Sequence, residues 1–101
     1  MVQFINCFEV PAGREDDFMV VHAEINAFMA SQPHAGYLGH RLLKSLTPDA
    51  KYRFINFVEW ESPEDWAAAH GPDFIAMVSR PDWAFFTSVP ALYEVAYEGS
   101  P

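Results

Sequence analysis

The stretch Asn56-Phe57-Val58-Glu59-Trp60-Glu61-Ser62-Pro63-Glu64-Asp65-Trp66 decides the fold. Its first half belongs to a strand over Tyr52 to Glu61. Alternation puts Tyr52, Phe54, Asn56, Val58 and Trp60 on one face and Ile55 and Phe57 on the other. Its second half is a helix start. Ser62 caps, Pro63 takes the first helical position, and Asp65 stands three residues after the cap. The spacing predicts a helix to Gly71-Pro72, then a second helical piece from Pro72 to about Arg80, which Pro81 stops.

Upstream, Gly36 to Ser45 reads as a strand, and Thr47-Pro48-Asp49-Ala50 is a turn short enough to make an antiparallel hairpin with the strand from Tyr52. Before that, Val2 to Val10 alternates as a first strand, with Phe4, Asn6 and Phe8 on one face and Ile5 and Cys7 on the other. Pro11-Ala12-Gly13 is a turn. Phe18, Val21, His22, Ile25, Phe28 and Met29 then recur at helical spacing, so a helix covers about 13–31. Glu15, Asp16 and Asp17 lie where its dipole favours acids. Downstream, 82–90 reads as irregular, and Ala91 to Glu98 as the last strand. The order strand, helix, strand, strand, helix, strand predicts an α+β, ferredoxin-like βαββαβ fold with helices on one face of an antiparallel sheet. One domain over 1–98 and a tail over 99–101 account for the chain, whose 101 residues leave no room for a second core.

Composition narrows the partners. Fourteen acids against six Lys and Arg give a net charge of −8. A nucleic-acid groove or a surface for anionic membranes needs a basic face, so neither is expected. No apolar run approaches the ~18–20 residues of a membrane span. The opening MVQFINCFEV has no positively charged start, so no signal peptide is expected. A single cysteine cannot form an intrachain disulfide, which fits a reducing compartment. The expectation is a soluble cytoplasmic domain. Helices can cover only one face of the sheet, yet its first and third strands are apolar on both. A second copy packed sheet to sheet would cover the other face, so a homodimer is expected. The alternative is a monomer whose 82–90 segment folds across the open face.

The residue that asks for an explanation is Asn56, a carboxamide in mid-strand among aromatics. It either bonds a neighbouring backbone group or a buried water, or offers a polar handle to a ligand oxygen. Asn6 poses the same question beside Phe4 and Phe8. Trp60 and Trp66 flank the strand-to-helix junction, each a flat surface with one N–H donor. Arg80 either complements a helix dipole or stabilises a developing anion. His22 falls on the buried stripe of the long helix, and His70 lies one turn after Trp66. His34 and His40 point to no chemistry, and Cys7 reads as packing. The four His and one Cys make no metal-binding spacing. There is no glycine-rich phosphate loop either, so neither metal nor nucleotide cofactor is expected.

The chain resembles the antibiotic biosynthesis monooxygenase family of dimeric α+β barrel proteins. The resemblance runs over nearly the whole chain. It is carried by the opening strand into Pro11-Ala12-Gly13, by Gly36-Tyr37-Leu38-Gly39 and above all by the stretch from Asn56 to Trp66. Asn56 and Trp60 match the Asn and Trp of the quinone-forming branch of aromatic polyketide pathways. Trp66 stands where that branch has a Tyr, and Arg80 falls at the offset of its Arg. The resemblance implies cofactor-independent oxygenation of a phenolic or anthrone-type ring by O2. Asn56, Trp60, Trp66 and Arg80 would be catalytic, with Phe4, Asn6, His22, Tyr52, Phe54, Val58 and His70 around the substrate. His22, His70 or water would serve as base, or the substrate's own acidity would suffice. A haem-degrading branch shares Asn6, but Ala69 and Val78 occupy the positions of its Trp and its haem-ligating His. A non-catalytic ligand-binding or polyketide-cyclase helper is the second reading, and a haem binder the third.

Overall fold

The computed structural model describes residues 1–101. Its elements are β1 (Val2–Glu9), α1 (Glu15–Ala30), β2 (Tyr37–Lys44), β3 (Phe54–Trp60), α2 (Pro63–Ala69), α3 (Pro72–Val78), a 3-10 turn (Pro81–Trp83) and β4 (Thr87–Tyr93). The strands form one antiparallel sheet in the order β2-β3-β1-β4. This is the ferredoxin-like arrangement.

The register aligns the strand faces. Phe8 opposes Phe54, Asn6 opposes Asn56, Phe4 opposes Val58 and Val2 opposes Trp60. Side chains on directly paired residues point the same way, so these pairs line one face in rows. Helix α1 crosses that face through Phe18, which stacks on Phe54 at 4.6 Å and packs on Phe8 at 4.8 Å. Phe8, Phe18 and Phe54 are the core, with Phe85 and Phe86 against them. Helix α2 covers the other end of the same face, where Trp66 and His70 meet Phe4. Its start is fixed as the sequence reads: the Ser62 hydroxyl accepts from the Asp65 backbone N–H at 3.1 Å, with Pro63 at the first position.

The opposite face carries Ile5, Cys7, Ile55 and Phe57, flanked by exposed Leu43, Val89 and Tyr93. The aromatic contacts of α1 and α2 all fall on the first face, and the segment after α3 does not cover the second. Phe85 and Phe86 turn instead into the core, and Trp83 is buried.

The last strand begins earlier than the sequence suggests, at Thr87 rather than Ala91, and Val95 and Tyr97 lie beyond it. It contains Pro90, opposite Asn6. A proline cannot donate to a ladder, and β4 tolerates it because it is an edge strand bonded only to β1. Tyr52 also lies outside its expected strand. The strand starts at Phe54, and Tyr52 lines a shallow hollow with Leu43 and Ile55, residues of the opposite face. No helix is long and apolar enough to cross a membrane.

Candidate active site

Between the helices and the sheet lies a group of polar atoms that the chain itself does not satisfy. Asn6 Oδ1, Asn56 Oδ1, His22 Nε2, Trp60 Nε1 and Trp66 Nε1 are buried and have no hydrogen-bond partner. Leaving such a group unpaired costs about 1–3 kcal/mol each, so several on one face mark a place shaped for something other than packing.

Strand pairing positions the two amides. Asn6 and Asn56 are cross-strand partners, and Leu42 of β2 flanks Asn56. His22 lies one helical turn beyond Phe18, on the side of α1 that faces the sheet, with its ring 6.4 Å from Phe18. On its other side is His40, 6.5 Å away and directly opposite Val58. Burial lowers the His22 pKa below its usual 6.5, and the nearby His40 lowers it further. His22 therefore favours its neutral form.

The indole end is built on β3 and α2. Trp60 is almost wholly enclosed, at 1% exposure. Trp66 stacks on His70 at 4.9 Å, and Phe4 lies 5.5 Å from each. Phe74 closes the far side of His70 at 4.6 Å. His70 Nδ1 lies 2.6 Å from the Trp66 carbonyl. A carbonyl can only accept, so Nδ1 carries the proton and Nε2 keeps its lone pair. Burial lowers the His70 pKa, although that hydrogen bond opposes the shift.

The structure thus brings Phe4, Asn6, His22, Phe54, Asn56, Val58, Trp60, Trp66 and His70 to one face. It does not bring Arg80 there. The Arg80 guanidinium is held by Glu24 and Asp82, each at 2.8 Å, and covers the Trp83 ring at 4.4 Å. Its side chain is 44% exposed. Counting an offset across the break between α2 and α3 placed it in the site; the chain turns at Gly71-Pro72 and carries it outward. A hollow of about 360 Å3 opens between the end of α1 and the α2–α3 corner, lined by Phe28, His34, Asp65, Ala69 and Phe74 among others. Neither asparagine, nor Trp60, Trp66 or Arg80, is in its wall.

Two further residues border the site without a sequence signal. The Tyr37 hydroxyl hydrogen-bonds His40 Nδ1. Residues three apart on a strand normally face opposite ways. A bulge between Tyr37 and Gly39 resets the register, so Tyr37 opposes Trp60 while His40 opposes Val58. His34 donates from Nε2 to the Met29 carbonyl at 2.8 Å and lies 6.3 Å from Trp60.

No protein-family model matches the chain, and no curated protein does. Solved structures do. A protein from Shewanella loihica PV-4, provisionally described as a monooxygenase, is 31% identical over 96% of this chain and 95% of its own, with a TM-score of 0.75. SnoaB, a cofactor-independent oxygenase from Streptomyces nogalater, is 28% identical over 96% of this chain and 94% of its own, with a TM-score of 0.72. MhuD, a haem degrader from Mycobacterium tuberculosis, is 27% identical over 99% of this chain and 100% of its own, with a TM-score of 0.71. The chain belongs to the antibiotic biosynthesis monooxygenase family and is an enzyme of the monooxygenase type.

Proposed function

We propose that this enzyme oxidises a flat phenolic or anthrone-type aromatic polyketide to a quinone with O2, without a cofactor. The observation that carries the reading is the set of unpartnered buried donors and acceptors among aromatic walls. Similarity to SnoaB, itself a cofactor-independent oxygenase, supports it.

The chemistry suits such a site. Loss of a proton from the substrate leaves a delocalised carbanion or phenolate. That anion can give one electron to O2 directly, and recombination adds oxygen to the ring carbon. Loss of water from the resulting hydroperoxide leaves the new carbonyl. The protein has to exclude water, hold the ring and stabilise the anion. Phe4, Phe54, Val58 and Trp60 supply the apolar walls. The Asn6 and Asn56 carbonyl oxygens can accept from substrate hydroxyls, and the Trp66 N–H can donate to an oxyanion. One well-placed donor of this kind is worth roughly 3 kcal/mol of barrier. The reading needs no charge from Arg80. Val78, where the resemblance implies a haem-ligating His, offers no donor atom, so the haem reading draws no support from that position.

The uncovered face of Ile5, Cys7, Ile55 and Phe57 fits a second copy of the chain, as the family resemblance implies. Sedimentation at micromolar concentration should give a dimer mass, and Phe57→Glu should give a monomer.

Oxygen uptake with 1,8-dihydroxyanthrone, using protein freed of metal and flavin, tests the reaction. Combining Asn56→Ala with Trp60→Phe should lower turnover at least about tenfold. Tight binding of the anthrone with no uptake would instead favour a ligand-binding helper. Unchanged turnover in the double variant would remove both residues from the mechanism.

A further inference from the structure

We propose that His22 is the base of this reaction, accepting the substrate's proton at Nε2. This rests on the oxygenation proposed above and adds to it the group that starts it.

Position is the first argument. Phe18 stacks on Phe54, and His22 follows Phe18 by one helical turn. The His22 ring neighbours His40, which pairs with Val58. His22 is therefore seated over the stretch of β3 from Phe54 to Val58, whose middle residue is Asn56. Its Nε2 is buried and bonds nothing in the chain, like the Asn6 and Asn56 oxygens. A ring oriented by those amides would meet a nitrogen with no competing partner.

Chemistry is the second. When the substrate C–H bond breaks, its electron pair stays on the ring as an enolate, and the proton forms an N–H bond on the imidazole. O2 is reduced afterwards, as the proposed reaction requires. An imidazole held neutral is competent for that transfer at neutral pH. Burial and His40 both act to keep His22 neutral. The other elements facing it bring no charge: β1 and β3 present Asn6, Asn56 and Val58. On its own helix Phe18 and Asn26 stand one turn away, and Glu24 is engaged by Arg80. His70, the rival, sits at the indole end. Its ring is hemmed by Phe4, Trp66 and Phe74.

Anaerobic mixing with 1,8-dihydroxyanthrone isolates the proton transfer, because the bound anion absorbs at longer wavelength than the neutral ring. The wild-type protein should form the anion at pH 7. His22→Gln should slow its formation by at least about a hundredfold, and added imidazole should restore it in His22→Gly. In the wild-type protein the yield should fall with acid around a midpoint below 6.5, and His40→Asn should move that midpoint upward. These wild-type and surface-variant titrations decide the matter even if His22 variants fold poorly. No anion in the wild-type protein, equal rates in His22→Gln, or a loss confined to His70→Gln would each overturn the assignment. Anion formation without oxygen uptake would sink the oxygenase reading and leave His22 as the base of a proton transfer.

Discussion

One sheet face carries two regions built by opposite rules. At one end Phe8, Phe18 and Phe54 pack as stacked and tilted rings with no polar atom among them, each below 8% exposure. Two residues further along the same strands, Asn6 and Asn56 replace phenylalanine, and two residues further again come Phe4, Val58 and then Trp60. That half buries polar atoms without satisfying them. The phenyl end maximises stability. The amide and indole end gives some up, as sites that must later bond a guest do.

Mutations at the two ends should therefore respond in opposite senses. The largest effect belongs to Phe18→Ala. Removing a ring at 2% exposure should cost about 3–5 kcal/mol, read as a lower denaturant midpoint. A loss near 1 kcal/mol would mean that the phenyl end is not the structural half.

Asn56→Leu should do the reverse. It removes an unpaired buried acceptor, so stability should hold or rise by about 1 kcal/mol, while oxygen uptake falls by about tenfold. Destabilisation together with unchanged turnover would erase the distinction between the halves.

Ser62→Ala should cost about 1 kcal/mol through the lost α2 cap. It should also lower turnover moderately, because α2 carries Trp66. If melting temperature falls while turnover holds, α2 is scaffold only.

The smallest effect is that of pH. Burial holds the His22 and His70 pKa values below 6.5 in the folded protein. The unfolded chain then binds more protons as pH drops through 6.5, so stability is full above that pH and declines below it. Thermal melts at pH 7.5 and 5.5 should show the decline, and His22→Phe should flatten part of it. A melting temperature that rises on acidification would contradict the burial of these rings.

Much of this was written in local sequence. β1 and β3 are legible as short runs, apolar on both faces, next to Pro11-Ala12-Gly13 and Ser62-Pro63. The Ser62-Pro63-Glu64-Asp65 cap fixed the start of α2, and Asn56 stood out as an amide in an aromatic strand. What local pattern does not carry is register and edge position. The stretch 82–90 reads as irregular although β4 begins at Thr87, because nothing nearby says that this segment forms the sheet's rim. Tyr52 continued the alternation, yet the chain bends before Phe54. The facing of Asn6 and Asn56 depends on how distant strands align. Arg80 was placed by an offset that a helix break invalidates, and its own partners, Glu24 and Asp82, draw it outward.

The bulge at the start of β2 has a consequence for the evolution of this site. Leu38 is the extra residue between Tyr37 and Gly39, and Gly39 takes a φ of 138° that other residues rarely adopt. Deleting that one leucine would leave Tyr37 and His40 two apart on a regular strand, still on one face. Straightening the strand with Leu38 in place would instead turn the Tyr37 phenol to the far side of the sheet and sever it from His40. The phenol–imidazole couple thus survives loss of the extra residue but not loss of the bulge around it, so the vulnerable position is Gly39, where a residue with a β-carbon would be strained.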